Sequence, residues 1–156
     1  MAVDESAPLD EVAQQIAETV GRALVDRDRA ARRLGIELQA IRPGYARLAM
    51  AVRDDMADGH GGCHRGVIAT LADTAFDYAA SAANQATTAL AANVSYVAPA
   101  RIGDRLTAEA RERNRRGRIG IYDVTVRNQD RELVALLRGH ACRLDGEVVA
   151  GITVAT

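Results

Sequence analysis

The stretch from Val67 to Ala83 limits the fold more than any other. Val67, Ile68, Leu71, Ala72, Ala75, Phe76, Ala79, Ala80 and Ala83 recur at i, i+3 and i+4 spacing, which puts them on one broad face of an α-helix. A face that wide suits a wrapping sheet, and its alanines let the sheet come close. Aromatic residues make up 3% of the chain, with no Trp and one Phe. Ala, Val, Leu and Ile therefore fill the interior in thin, closely packed layers.

On either side of this helix the apolar period changes. Ile36 to Ile41 and Tyr45 to Val52 alternate apolar and polar residues and are joined by Arg42-Pro43-Gly44, which predicts a β-hairpin. Residues 54–65 read as a loop rich in Gly, Asp and His. Downstream, Thr88 to Val97, Arg105 to Arg113, Ile119 to Arg127 and Leu133 to Leu144 read as strands. Short turns at 114–118 and 128–131 make meander hairpins. Upstream, Val12, Ile16, Val20, Leu24 and Ala31 form a helical stripe between Leu9 and Leu34. Gly21 interrupts it, so one broken helix or two shorter ones fit, and Gly35 suits the C-cap. Residues 1–8 read as a polar tail.

This order predicts an α+β domain: a helical segment, a hairpin, one long helix, then about four strands. The expected division is 1–28 as tail and helical extension and 29–156 as the main domain. A chain of 156 residues buries roughly 68–70% of its unfolded surface, enough for a core without staples. Sheet edges left over in so small a domain suggest self-association.

The charges narrow the function classes. Twenty Lys and Arg against 21 Asp and Glu give a net charge of −1, so no global field draws nucleic acid or an anionic membrane. No stretch approaches the roughly 20 apolar residues of a membrane helix, and no basic-then-apolar leader opens the chain. Cys63 and Cys142 stand far apart without a C-x-x-C, which fits a reducing compartment. A cytoplasmic location is the expectation.

Chemistry points to Asp58-Gly59-His60-Gly61-Gly62-Cys63-His64-Arg65-Gly66, which runs into the long helix. A Gly-rich loop entering a helix leaves backbone N–H donors unpaired, and such donors stabilise an oxyanion. A carboxylate two turns on, Asp73, can act as base or nucleophile. At about 100° per residue Asp73 falls at the margin of the apolar face, with Thr70 and Asp77 further toward the polar side. The bland alternative is a solvated Asp after an ordinary loop. His60 and His64 sit i, i+4, but the intervening glycines oppose a helix and no third ligand is evident, so no metal is expected. Cys63 beside His64 makes a poor nucleophile pair, since partners are normally distant in sequence. Arg111, Arg113, Arg115, Arg116 and Arg118 crowd one hairpin. They are either a solvated surface or a phosphate site; without interleaved aromatics, nucleic acid is disfavoured.

At these residues the chain resembles a known family. Cys63 to Ala79, C-H-R-G-V-I-A-T-L-A-D-T-A-F-D-Y-A, is similar to the H-G-G-x-x-x-x-L-A-D-x-A signature of hotdog-fold acyl-CoA thioesterases, in particular the PaaI-like type of phenylacetic acid degradation. R-R-L-G-I-E-L from Arg32, V-S-Y-V-A-P-A-R-I-G-D from Val94 and G-I-Y-D-V-T-V-R-N-Q from Gly120 also resemble that family.

The resemblance implies a hotdog fold, an antiparallel sheet of about five to six strands wrapped around the central helix. It implies dimers, or dimers of dimers, with active sites at the dimer interface and no cofactor. His64 and Arg65 fall on the H-G pair, so the Arg65 N–H would polarise the thioester carbonyl. Asp73 falls on the acidic residue that activates water or attacks. Asp58 falls where relatives often carry Asn. Gly66, Asp77, Arg116 and Arg118 are the further candidates for substrate contacts. Two departures stand out, Arg65 for Gly and Asp58 for Asn. An ionised Asp58 cannot donate to a carbonyl. A second carboxylate near Asp73 would raise the pKa of one of the two, which suggests a protonated Asp58. The activity implied is hydrolysis of acyl-CoA, with aryl-acetyl or hydroxyphenylacetyl groups as candidates. The alternatives are a hotdog dehydratase, which needs a His paired with a carboxylate, and a non-catalytic acyl-CoA-binding module.

Overall fold

The computed structural model describes residues 9–152; the polar tail expected at 1–8 lies outside them. The elements run α1 (Leu9–Arg27), α2 (Arg29–Arg33), β1 (Glu37–Arg42), β2 (Tyr45–Ala51), α3 (Arg65–Ser81), β3 (Thr87–Tyr96), β4 (Arg105–Arg116), β5 (Ile119–Arg127) and β6 (Leu133–Arg143). The six strands form one sheet in the order β1-β2-β4-β5-β6-β3. All pairings are antiparallel. This is the expected α+β architecture, with α3 wrapped by the sheet.

The α3 face behaves as its periodicity requires. Ile68, Leu71, Ala72, Ala75, Phe76 and Ala79 are buried against Leu48, Met50, Leu106, Val124 and Val126 of the sheet. Each large side chain buried there contributes about 1.5–3 kcal/mol. Phe76 packs on Tyr122 with ring centroids 5.4 Å apart. Gly139 makes room for it: a Cβ there would lie 2.7 Å from the Phe76 ring.

Two features differ from expectation. The N-terminal helical segment breaks at Asp28, not at Gly21. Asp28 caps α2 by accepting the Ala31 N–H at 2.9 Å. Gly21 instead lets α1 approach β1, since a Cβ there would meet Leu38 at 2.8 Å. Strand β3 does not neighbour β4; it crosses to the far side of the sheet and pairs with β6. There it is an edge, with Thr88 to Asn93 exposed. At the opposite edge, α1 lies along β1, and Gln14 Nε2 donates to the Ile41 carbonyl at 2.9 Å. Val12, Ile16 and Val20 of α1 form a small second core with Ile152. Asn84 holds the C-terminal segment by donating to and accepting from the Val149 backbone at 3.0 and 2.9 Å. No helix among the described residues is long and apolar enough to cross a membrane.

Candidate active site

The loop before α3 is tied down by its own backbone. Asp58 Oδ1 accepts the N–H groups of His60 at 2.8 Å and Gly62 at 3.3 Å. The Cys63 N–H donates to Ala100, and the His64 N–H to Met56, both at 2.8 Å. Gly61 supplies the turn with a φ of +84°, which L side chains adopt only at a cost.

This scaffold fixes the start of α3. His64 is the N-cap: its Nδ1 accepts the Gly66 N–H at 2.9 Å. Gly66 has no Cβ because one would press on the His64 ring at 3.1 Å. The N–H groups of Val67 and Ile68 both reach the His64 carbonyl. Of the first α3 amides, only that of Arg65 has no acceptor among the described residues. It is therefore the donor available to a substrate oxygen. The Gly66 amide, a substrate-binding candidate on sequence, is already occupied by His64.

Asp58, His60, Arg65, Ile68, Tyr96 and Pro99 line a cavity of 460 Å³ beside that donor. The Arg65 carbonyl accepts the Tyr96 hydroxyl at 3.2 Å, and the Arg65 guanidinium lies 6.0 Å from the Tyr96 ring centroid. The two loop N–H groups, led by that of His60, hold the Asp58 carboxyl below the usual carboxylate range. Within one chain Asp58 is therefore an ionised acceptor, not the protonated donor the sequence suggested. Burial pushes the Cys63 thiol up, helped by the charges of Asp58 and Asp104. Cys63 is thus a poor thiolate nucleophile.

Asp73 lies elsewhere. It shares a 260 Å³ cleft with Asp28, Thr70, Phe76, Asp77 and Ala80. Burial raises the Asp73 pKa. Asp77, one turn on, is pushed up to about 6, first by burial and then by the charges of Asp73 and Asp28. Asp77 is exposed at the cleft mouth. Asp28 also accepts the Tyr78 hydroxyl at 3.2 Å. Sequence spacing put Asp73 at the margin of the apolar face and Asp77 further toward the polar side, but could not find Asp28, which arrives from the break between α1 and α2.

The arginine cluster is mostly self-neutralised. Arg113 pairs with Asp123 at 2.9 Å, Arg115 with Glu112 at 2.8 Å, and Arg118 with Asp145 at 2.9 Å. Arg116 makes no ion pair among the described residues. Arg118 bonds the Arg143 carbonyl, near the start of β3, whereas Arg65 meets Tyr96 at its end. The ten residues of β3 separate them by about 30 Å. Arg116 and Arg118 therefore cannot serve the Arg65 cavity of the same chain. No three His, Cys, Asp or Glu side chains gather as a metal site among the described residues.

Comparison with known proteins adds a family to this geometry. The thioesterase superfamily pattern matches residues 60–135. Acyl-coenzyme A thioesterase PaaI of Escherichia coli K12 is 37% identical over 126 residues, covering 81% of this chain and 90% of that protein. The solved structure of the E. coli PaaI protein from the phenylacetic acid degradation operon superposes with a TM-score of 0.85 at 36% identity, covering 86% of this chain and 98% of that one. The TT0310 protein of Thermus thermophilus gives a TM-score of 0.73 at 36% identity, covering 76% and 99%.

Proposed function

The chain belongs to the PaaI-like branch of the thioesterase superfamily and is a thioester hydrolase, and from that premise we propose that two copies of it assemble a shared site in which Arg65 and Asp73 cleave aryl-acetyl-CoA. The observation that carries this is the unpaired Arg65 N–H at the head of α3. A donor fixed by the fold stabilises the developing oxyanion without reorganising. Asp73, whose pKa burial raises, activates water or attacks the carbonyl.

The need for two copies follows from helix geometry. Eight residues separate Arg65 from Asp73, about 12 Å of helix axis and a rotation of roughly 80°. Both groups must lie about 3 Å from one carbonyl, so one chain cannot supply both. They also line separate cavities. The exposed β3 edge is the surface through which a second copy brings its own α3 alongside. The aryl-acetyl assignment is supported by the operon named for the E. coli relative.

Free thiol released from phenylacetyl-CoA and hydroxyphenylacetyl-CoA tests the reaction, since dehydration and mere binding release none. Asp73→Asn should lower turnover by about 10²–10⁴-fold with the fold intact. Near-normal turnover removes Asp73 from the mechanism. Sedimentation at micromolar concentration should show a dimer or tetramer, and a fully active monomer excludes the shared site.

A further inference from the structure

Arg65 is a side chain where the resembling signature has none. Its backbone serves the carbonyl on the preceding assignment, which leaves the guanidinium unexplained. Arg65 lines the 460 Å³ cavity. Its guanidinium lies 6.0 Å from the centroid of the ring of Tyr96, which lines the same cavity, and its carbonyl accepts the Tyr96 hydroxyl at 3.2 Å. Ile68, Val97, Pro99 and Ala100 give the cavity apolar walls, and His60 and Asp58 line it as well. Arg53, Arg105, Arg111, Arg113, Arg115, Arg118 and Arg138 each have a carboxylate partner. Arg65, like Arg42, Arg47 and Arg116, has none among the described residues. The one carboxylate in the same cavity, Asp58, is turned onto the His60 and Gly62 amides instead. The cavity thus presents an unneutralised planar cation, a group suited to a carboxylate or a phosphate.

Reach decides between those two anions. From Cα to the guanidinium carbon an arginine spans about 6 Å, at roughly 1.25 Å of advance per bond. A substrate whose carbonyl sits at the Arg65 N–H meets that guanidinium only with atoms about 5–8 Å from the carbonyl. The nearer phosphorus of coenzyme A lies about thirteen bonds from sulfur, roughly 16 Å when extended. The acyl group reaches Arg65; the phosphates do not.

We propose that Arg65 gives this thioesterase a preference for acyl groups bearing a carboxylate, which its guanidinium binds in the cavity beside the thioester carbonyl. The proposal rests on the assignment of the Arg65 N–H to that carbonyl. It names a substrate class, acyl-CoAs with a second acidic group about 5–8 Å from the thioester.

The test compares 4-carboxyphenylacetyl-CoA with phenylacetyl-CoA by thiol release, in the wild type, Arg65→Gln and Arg65→Lys. The quantity read is the ratio of kcat/KM for the two substrates, which cancels any general effect on the site. The ratio should fall about tenfold in Arg65→Gln, mainly through KM, and recover largely in Arg65→Lys. An unchanged ratio overturns the proposal, including the case in which both substrates weaken equally because Arg65 serves the coenzyme A phosphates. A wild type that cleaves phenylacetyl-CoA but not its carboxylated counterpart also overturns it. Asp73→Asn in parallel separates the two levels. Surviving turnover there overturns the site assignment itself, whereas an inactive Asp73→Asn with an unchanged ratio overturns only the preference.

Discussion

His64 Nδ1 takes the Gly66 N–H at 2.9 Å and so leaves the neighbouring Arg65 N–H as the free donor at the head of α3. This permits a backbone test. Proline is well tolerated at the first helical position, and the His64 ψ of 130° already suits a residue preceding proline. Arg65→Pro should fold, lack the donor, and lose about 10²–10³-fold in kcat. Arg65→Gly, which keeps the N–H, should turn over about a hundredfold faster than Arg65→Pro on phenylacetyl-CoA. Equal rates in the two variants would take the amide out of the mechanism.

Asp58→Asn addresses the second departure from the family. The loop amides hold the Asp58 carboxyl low, so it is ionised throughout the neutral and alkaline range. Its stabilising effect on the loop is present above the unfolded pKa and is lost only as pH falls through the lower folded value. The variant should therefore keep the alkaline limb of the wild-type pH–rate profile. A decline present in the wild type and absent from Asp58→Asn would show that Asp58 carries a catalytic proton in the assembled enzyme.

Asp77 is expected to cost stability at neutral pH. Its pKa is raised from 3.8 to about 6, so folding favours the protonated form. That advantage is complete below the unfolded pKa and disappears as pH rises through the folded one. Asp77→Asn keeps the neutral form at every pH. It should be more stable than the wild type at pH 7 by about 1 kcal/mol, allowing for solvent screening at the cleft mouth. The difference should shrink toward pH 4, as urea melts at the two pH values would show.

Gly139→Ala tests how closely α3 presses on the sheet. The added methyl would overlap the Phe76 ring, which is 1% exposed and cannot swing away. Destabilisation of about 1–3 kcal/mol is expected, read from the denaturation midpoint. A neutral result would mean that the helix lifts from the sheet at no cost.

The elements legible in sequence were those whose periodicity reports burial. The α3 face, the β1–β2 hairpin and the turns after β4 and β5 all announced themselves in the spacing of apolar residues and turn formers. The start of α3 came out two residues early, at Arg65, because a histidine ring caps it where Ser, Thr, Asp or Asn would be the readable signal. The position of β3 was hidden because pairing with β6 is decided by closure of the sheet, not by anything local to Thr87–Tyr96. Asp73 was marked by its motif. Its neighbour Asp28 comes from the break between α1 and α2, and no one-dimensional spacing relates the two.

The two edges of the sheet are not equivalent. Along β1, α1 lies alongside and Gln14 covers the Ile41 carbonyl; along β3, Thr88 to Asn93 are exposed. A helix laid along one margin makes that margin harder for another strand to reach, so the uncovered β3 margin is the side from which edge-to-edge pairing is easiest.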